Sequence, residues 1–367
     1  MRVLFCGGGT AGHITPALAI AEEIKISIPN SHFLFVGREN GNENKIIVKE
    51  GHPLKTIKIQ GLKRKISTEN IKSLVYTLKA INDAKRIINE FKPDVVVGTG
   101  GYVCLPVIVA ARQMKIQTVL HESNVSPGLT TKLLANHVNV VMLGYAGAKG
   151  HLSRKANCVV VGNPIRKDFY RITRESARRK LGLGEDEIFI ISFGGSLGAG
   201  KMNEVILEVM ENFSSKENNV RHIHGTGDKY YEEIKKKHHF SEDSGCRIMP
   251  YINNLPTMMK AADIAICRCG AVTLSEISES GVASILIPSP NVSDNHQYKN
   301  GRFFSDNKAA YLIEEEKLEA VELEKSLKRL KNDKIERKSV AKCAKRLSGE
   351  NSSKTVVKVL KSLVFES

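Results

Sequence analysis

A glycine-rich stretch near the start of the chain, residues 7–13 with the sequence GGGTAGH, has the residue types of a ligand-binding turn. It follows the apolar run 3–6 and precedes apolar residues at helical spacing, so the sequence predicts strand, tight turn and helix. Such a turn lets the backbone approach a ligand and directs the N–H groups of a helix start towards it. The Gly-x-Gly-x-x-Gly spacing also satisfies the dinucleotide fingerprint, so this turn alone leaves the ligand open.

A second stretch with candidate chemistry, CRCGAVTLSEISESG, covers residues 267–281 after another apolar run. Thr273 and Ser275 can present hydroxyls, and the N–H groups of the first helical turn are suited to binding phosphate. Glu276 falls about one turn into the predicted helix, where its carboxylate could accept two ribose hydroxyls. An acidic residue that only stabilises the helix start is the equal alternative.

Length and composition indicate an ordinary folded protein of two domains, because 367 residues exceed a single core. No apolar run approaches the roughly 20 residues of a membrane-spanning helix, and a core strand at the N-terminus leaves no room for a signal peptide. Most of the seven cysteines lie in apolar runs, which favours a reduced, cytosolic protein. Cys267 and Cys269 have no second pair at metal spacing, so we expect no zinc site.

The net charge of +16 is unevenly distributed, and residues 55–86 alone carry nine basic and two acidic side chains. Such a patch favours phosphate, of nucleic acid or of anionic lipid, and a solvated face is the alternative. In the predicted helix after Ser67 the basic residues repeat every seven positions, with Tyr76 between the first two: Lys72, Lys79 and Arg86. The apolar positions beside them are predicted to form mostly a core stripe: Leu74, Val75, Leu78 and Ile81.

Apolar runs alternate with helix-period segments along the chain, which is typical of parallel sheets. The strands expected in the first half are 3–6, 33–36, 56–59, 95–98, 118–121, 138–143 and 159–161. The pattern restarts at residue 188 with a strand, a glycine turn at 194–198 and a helix, followed by strands at 220–224, 264–267 and 285–287. Two Rossmann-like domains explain this duplication. A dehydrogenase does not, since it needs one fingerprint and a carboxylate ending the second strand, for which Glu39 is only approximate.

Seven motifs occur in order along the chain: GGGTAGHITPALAIA, TGGYVCLP, HESNVSPGLT, GNPIR, FGGSLGA, the stretch from Cys267 to Glu276, and DNHQYKN. Together they resemble the MurG family of glycosyltransferases, which add N-acetylglucosamine to the lipid-linked muramyl pentapeptide precursor of the bacterial cell wall (lipid I to lipid II). The resemblance covers essentially the whole chain.

The resemblance implies an α/β protein of GT-B architecture, with two Rossmann-like domains facing across a deep cleft. Residues 1–163 would form an acceptor- and membrane-facing domain and residues 164–345 a UDP-N-acetylglucosamine-binding domain, with a helix at about 346–367 packing back on the first. It also implies inversion at the sugar carbon, and neither a metal nor another cofactor.

Site residues follow from the matching motifs. Ser196 resembles a phosphate contact, Ile252 would lie along the uracil, and Glu276 would bind the ribose. Gln297 would bond sugar hydroxyls with His296 beside it, and Arg166 resembles a donor-binding arginine. A helix-start cradle is implied for Ala271, Val272, Thr273, Leu274 and Ser275, and closure over the donor sugar for Thr10, Ala11, Gly12 and Asn124. Two positions depart from the family pattern: Ala11 stands for a glycine and Cys269 for a serine-like residue.

His13 is the candidate general base for the acceptor hydroxyl, because histidine changes charge near neutral pH. The alternative is that His13 only orients a substrate. His121, Glu122 and His296 are weaker candidates that could simply shape the site.

The partners expected are UDP-N-acetylglucosamine, lipid I and anionic lipid on the cytoplasmic membrane face, with no nucleic acid. Another GT-B UDP-sugar transferase acting on a lipid or small aglycone is the alternative enzyme. A basic lipid- or nucleic-acid-binding protein without catalysis is the other class, against which Glu276, Gln297 and Asn124 argue.

Overall fold

The chain folds into two α/β units, each built on its own sheet. The structure, a computed structural model, describes residues 1–9, 11–41, 43–59, 68–195, 198–347 and 351–366, except for the side chains of residues 11, 43, 68–75 and 242. The first unit is Met1–Arg166 with Gly349–Ser367, and the second is Lys167–Ser348.

The first unit is organised by a parallel sheet. Its strands are β1 (Arg2–Gly7), β2 (His32–Arg38), β3 (Leu54–Ile57), β4 (Val95–Gly100), β5 (Gln117–Glu122), β6 (Val140–Leu143) and β7 (Cys158–Val160). In the described part of the chain they lie in the order β3-β2-β1-β4-β5-β6-β7, and every pair is parallel. The strand order therefore reverses between β1 and β4, and in such sheets ligands bind at the carboxyl ends beside this switch point.

Both faces of this sheet are buried, which explains its continuous apolar strands. Leu4 and Cys6 point to one core, while Val3 and Phe5 point to the other, as the two-residue period of a strand requires. The helices of the unit are α1 (Ala11–Ser27), α2 (Glu43–Lys49), α3 (Thr68–Phe91), α4 (Cys104–Gln113), α5 (Leu129–Leu134) and, from the end of the chain, α15 (Ser352–Phe365). Helix α15 packs on α1 and adds its buried side chains to the core: Val356, Val357 and Leu360.

The second unit repeats the scheme. Its strands are β8 (Ile188–Phe193), β9 (Val220–Gly225), β10 (Cys246–Met249), β11 (Ile264–Cys267), β12 (Ala283–Leu286) and β13 (Tyr311–Leu312), in the order β10-β9-β8-β11-β12-β13 over the described residues. Its helices are α6 (Asp168–Arg171), α7 (Arg174–Lys180), α8 (Gly200–Asn212), α9 (Asp228–Lys237), α10 (Leu255–Ala261), α11 (Ala271–Ser280), α12 (His296–Asp306), α13 (Ala320–Asn332) and α14 (Lys334–Arg346). The switch point here lies between β8 and β11.

The predicted parallel sheets are confirmed, and most predicted strands overlap observed ones within two residues. Strands β10 and β13 were not predicted. Strand β10 lies at the edge of its sheet, where Arg247 is exposed and only Cys246 is buried, so it lacks the continuous apolar run of the inner strands. Strand β13 has two residues, which is too short for any periodicity to be recognised.

Candidate functional site

His13 lies at the switch point of the first unit, where the glycine turns after β1 and β4 meet. Its Nδ1 is 2.7 Å from the carbonyl oxygen of Gly8. A carbonyl only accepts, so Nδ1 carries the hydrogen in the neutral ring and the lone pair lies on Nε2. The ring rests against Gly100, whose φ is +119° and where an added Cβ would lie 2.5 Å from the ring carbon Cδ2. Glycine at that position is therefore a condition for the observed placement of the imidazole.

The two glycine turns are joined by their backbones, because the Gly8 N–H donates to the Gly100 carbonyl at 3.1 Å. Ala11 is the first residue of helix α1, so its helical backbone accepts a side chain in place of the family's glycine. Gly12 is exposed. Thr10 lies outside the described residues.

Glu122, at the end of β5, organises the loop that carries Asn124. Its Oε1 accepts from the backbone N–H and the side-chain amide of Asn124 at 3.0 and 3.1 Å. Its Oε2 accepts from the Gly128 N–H at 2.9 Å and the Thr131 hydroxyl at 2.6 Å. With four hydrogen bonds and 5% exposure, this carboxylate holds the loop in place.

His121 is a buried structural histidine. Its Nε2 donates to the Gly162 carbonyl at 3.1 Å, and its Nδ1 lies 3.4 Å from the Ser123 hydroxyl. Burial lowers the pKa of His121, which keeps the ring neutral. Asn163, also buried, donates from its side-chain amide to the Ser123 carbonyl at 3.1 Å, so the segment after β7 is tied to the Glu122 loop. Arg166 follows this segment as an exposed side chain.

In the second unit, a glycine turn follows β8 and the start of α11 follows β11, and these two strands are neighbours. Ser196, the predicted phosphate contact, lies outside the described residues. Gly195 and Gly198 have φ of +93° and +71°, a region that L side chains rarely adopt. The turn predicted from the sequence therefore needs its glycines for backbone shape.

Helix α11 begins after Gly270 without a side-chain hydrogen bond capping it. The N–H groups of Val272 and Thr273 have no acceptor within the helix, because the first turn of a helix lacks a preceding carbonyl. Leu274 differs, since its N–H donates to the Gly270 carbonyl at 2.9 Å and its side chain is fully buried. The Ser275 hydroxyl donates back to the Ala271 carbonyl at 3.1 Å. Among these positions, Val272 and Thr273 are best placed to present donors to an anion.

Glu276 lies one turn further along α11 and is 5% exposed. Burial and, after it, the negative charge of Glu276 raise the pKa of the Cys267 thiol, so the carboxylate lies close to the end of β11. Glu276 is therefore a buried acid and not a surface one.

Gln297 joins the ends of two strands. Its Oε1 accepts from the Cys269 N–H at 3.2 Å and from the Ser289 N–H at 2.9 Å, after β11 and β12 respectively. The side-chain oxygen is thereby occupied, and the Nε2 hydrogens remain as the donors that the residue can offer. The Asn300 amide donates to the Cys269 carbonyl at 3.2 Å, so Cys269 is held in the core on both sides of its backbone.

The two other predicted donor-site residues of this unit lie near the same edge of the sheet. His296 begins α12, and its Nδ1 donates to the Ser293 carbonyl at 2.8 Å. Ile252 is 4% exposed and packs on the end of β9, where a Cβ at Gly225 would lie 3.0 Å from its Cγ1. Its buried side chain leaves little surface for a uracil ring.

Among the residues whose placement the structure describes, no three His, Cys, Asp or Glu side chains are grouped as metal ligands would be. Of the helices in the described ranges, none has the length and apolar character required to cross a membrane.

Comparison with known proteins agrees with the duplicated architecture. Residues 3–143 match the model of the glycosyltransferase family 28 N-terminal domain, and residues 189–358 match that of the family 28 C-terminal domain. The chain belongs to glycosyltransferase family 28. In this family 28 chain, the N-terminal match includes the His13 turn and the Glu122 loop, and the C-terminal match includes Glu276 and Gln297.

Named relatives extend over the full length. A UDP-N-acetylglucosamine–N-acetylmuramyl-(pentapeptide) pyrophosphoryl-undecaprenol N-acetylglucosamine transferase of Thermoanaerobacter sp. (strain X514) is 41% identical over 99% of this chain and 100% of its own. A transferase of the same name, numbered 1, from Bacillus cereus (strain ATCC 14579) is 38% identical over 99% and 100%. The crystal structure of Acinetobacter baumannii MurG superposes with a TM-score of 0.79 at 25% identity, covering 98% of this chain and 99% of that one. The fold prediction, GT-B-type parallel-sheet units, is confirmed.

Two features of the family 28 chain go beyond the sequence-based expectations. Glu122, expected as a weak catalytic candidate or as a residue that shapes the site, organises a loop, and the polar residues that follow it in HESNVSPGLT are a signal for this. His222 and His224 are not among the predicted site residues, although their spacing of two places both on one face of a strand.

Proposed function

We propose that this chain transfers N-acetylglucosamine from UDP-N-acetylglucosamine to the muramyl sugar of lipid I, forming lipid II for peptidoglycan synthesis. The observation that carries the proposal is its full-length similarity to transferases of that name. The structure adds support residue by residue, since groups suited to a nucleotide sugar lie at the switch point of the second unit.

The donor would bind at the carboxyl edge of the second sheet. The first-turn N–H groups of α11, from Val272 and Thr273, suit the diphosphate, because a helix start offers unpaired donors and a favourable dipole. Glu276 suits the ribose, since a buried carboxylate gains from two hydroxyl donors. Gln297 suits the sugar hydroxyls through Nε2. We keep Arg166 as the candidate cation for the departing UDP.

The acceptor would be activated by His13. The Nδ1 hydrogen of His13 is held by the Gly8 carbonyl, so Nε2 is the atom that would take the proton of the acceptor hydroxyl. As the proton leaves, the hydroxyl oxygen would bond to the sugar carbon of the donor, and the bond between that carbon and the phosphate oxygen of UDP would break. One displacement inverts the configuration at the sugar carbon. Fixed donors and Arg166 offset the charge on UDP in this scheme, so we propose that no metal is required.

We propose further that the first unit docks on anionic lipid at the cytoplasmic membrane face through the region around α3. Lys63, Arg64 and Lys65 lie outside the described residues, as does the Lys72 side chain. Leu78, predicted for the core stripe, is instead 58% exposed beside the exposed Lys79, which gives this helix an apolar and basic surface.

Other contacts at this surface are mixed. Lys58 lies over the Tyr76 ring at 5.4 Å from its centroid, which adds another cation to the same side of the unit. Arg86 is paired with Asp83 at 3.3 Å, which offsets its charge. Each unpaired basic residue near an anionic surface would contribute about 1 kcal/mol.

Vesicle sedimentation tests the docking surface. Leu78→Gln with Lys79→Gln should reduce binding to vesicles containing anionic lipid, and the reduction should be greater at low salt. The control is Val321→Gln with Lys325→Gln, another exposed apolar and basic pair, on α13 of the second unit. Equal binding by the two double variants would exclude this surface.

The transfer itself is tested with UDP-N-acetylglucosamine carrying radiolabel in the sugar and with two acceptors, lipid I and a simple aglycone. We expect label to enter the lipid extract only with lipid I, and the reaction to continue in excess chelator. Label transferred to the aglycone but not to lipid I would support the alternative, another UDP-sugar transferase. Loss of transfer in chelator, restored by a divalent ion, would refute the metal-free scheme.

A further inference from the structure

A chain of buried polar side chains runs beneath the glycine turn of the second unit. It consists of Ser192 on β8, His222 and His224 on β9, Asn203 in the first turns of α8, and Ser214 after that helix. Each of the five is at most 1% exposed. Burying such groups in an apolar core is costly unless each finds hydrogen-bond partners, so their arrangement needs an explanation.

The direction of the hydrogen bonds in this row of side chains follows from its last partner, the carbonyl of Thr226. The Thr226 carbonyl can only accept, and the side-chain amide nitrogen of Asn203 donates to it at 2.9 Å. The Asn203 Oδ1 therefore faces His224 Nε2 at 3.1 Å, and Nε2 must carry the hydrogen. His224 thus supports the only orientation in which the amide of Asn203 satisfies both neighbours.

The remaining bonds continue in the same direction. Burial lowers the pKa of His224 to about 4 and that of His222 to about 3, so both rings are neutral. The Ser192 hydroxyl donates to His224 Nδ1 at 2.8 Å and accepts from His222 Nε2 at 2.8 Å. The Ser214 hydroxyl donates to His222 Nδ1 at 3.0 Å. Each link of this one-way relay therefore has one donor and one acceptor. The Ser192 carbonyl lies further from His224 Nδ1 than the Ser192 hydroxyl does, at 3.2 Å.

The relay ends under the glycine turn. Asn203 belongs to the start of α8, where its N–H donates to the Ala199 carbonyl at 2.8 Å. Gly198 lies so close to the Thr226 carbonyl that an added Cβ would overlap it, and the Tyr230 ring closes the other side at 2.7 Å from that position. Asn203 and Thr226, the two groups joined at the end of the relay, therefore support the helix start and the turn before it.

We propose that His224 is a positioning residue for the UDP part of the donor, acting through Asn203 and Thr226 on the glycine turn after β8. The inference rests on the proposed function, in which this turn contacts the donor diphosphate. An apolar side chain at 224 would fill the space but leave Asn203 Oδ1 unpaired. The amide would then reorient, and the turn that rests on the Thr226 carbonyl would lose its fixed support.

The test compares His224→Leu with His224→Gln, because glutamine retains a terminal N–H that can donate to Asn203 Oδ1. In the leucine variant we expect the Kd for UDP and the KM for UDP-N-acetylglucosamine to rise about tenfold, the effect of one lost buried hydrogen bond. The acceptor KM and kcat should change less than threefold. In the glutamine variant both donor constants should stay within about threefold of wild type.

Val209→Ala is the control for simple destabilisation, since the Val209 side chain is buried on α8 and is apolar, so it makes none of the hydrogen bonds of the relay. It should lower the melting temperature without changing the Kd for UDP. Tight UDP binding by His224→Leu, or equal weakening by Val209→Ala, would overturn the proposal.

If the leucine variant does not fold, His224→Asn replaces it, because asparagine is too short to reach Asn203. Equal UDP affinity in the asparagine and glutamine variants would then overturn the proposal. UDP binding is measured by calorimetry without acceptor, so a failure of the wild-type protein to transfer sugar counts against the proposed function and not against the role of His224.

Discussion

Replacing Glu122 by glutamine tests whether one carboxylate holds the loop that presents Asn124. The carboxylate accepts four hydrogen bonds, two on each oxygen. Glutamine keeps one oxygen and turns an NH₂ group towards the other pair of donors. The Thr131 hydroxyl can rotate to accept, but the Gly128 N–H cannot.

The magnitude follows from those contacts. One charge-assisted bond is lost outright and the others become neutral, and each bond to a charged group contributes about 1.5–3 kcal/mol. We therefore expect opening of the loop between β5 and α5 to become easier by about 2–4 kcal/mol, which corresponds to roughly 30- to 1,000-fold faster amide exchange. Transfer activity should fall as well, because Glu122 no longer holds the loop that carries the Asn124 side chain in place.

Hydrogen exchange followed by mass spectrometry measures this locally in peptides covering residues 121–135, so it does not require the two units to unfold together. Glu90→Gln is the matched control. That carboxylate is exposed and pairs with the Lys55 ammonium at 3.7 Å, and a surface pair of this kind contributes under about 1 kcal/mol. Unchanged exchange in Glu122→Gln would refute the reasoning.

Three further predictions follow from particular contacts. Burial lowers the pKa of His222 to about 3 and that of His224 to about 4, so below pH 6.5 the unfolded chain binds more protons than the folded one. At pH 5 the free energy of unfolding of the second unit should therefore be lower by about 2 kcal/mol for each histidine. Equal free energies of unfolding at pH 7 and pH 5, measured with urea, would contradict this. Gly100→Ala should lower kcat about 100-fold by displacing the His13 ring. Gly51→Ala, where φ is +76° and the space around the residue is open, should leave kcat unchanged. An unchanged kcat of Gly100→Ala in steady-state kinetics would contradict the prediction. Glu276→Ala should weaken UDP binding by about 1–3 kcal/mol in calorimetry, while Glu279→Ala on the same helix, whose carboxylate pairs with Lys260 and Lys345, should not; equal affinities would remove Glu276 from the ribose.

The fold was predictable because its signals are local. Val3 to Cys6 alternate between two buried cores, and such runs, separated by helices and glycine turns, indicate parallel strands without knowledge of their partners. Strand β10 was not predicted because its residues are only partly buried and form no continuous apolar run. The spacing of Leu78 predicts a position in the core stripe, but the side chain is exposed. Helical spacing gives a face and does not say how far that face extends beneath neighbouring elements.

The site was predictable only in part, since its hydrogen bonds join residues that are distant in sequence. Gln297 bridges Cys269 and Ser289, and His224 meets Ser192 because the register of β8 and β9 pairs these two positions. Motifs pointed to Gln297, but no motif identified the relay. Such contacts depend on strand register, which single-sequence patterns do not specify.

If the chain joins N-acetylglucosamine to the muramyl sugar of lipid I, the structure of the product will show it. Wild-type protein is incubated with UDP-N-acetylglucosamine and a short-chain lipid I, and the product is examined by mass spectrometry and NMR. We expect one added N-acetylglucosamine per acceptor, a β linkage to the muramyl sugar from the α-linked donor, and one UDP released. Retained α configuration, or UDP release with free N-acetylglucosamine and unmodified lipid I, would contradict it.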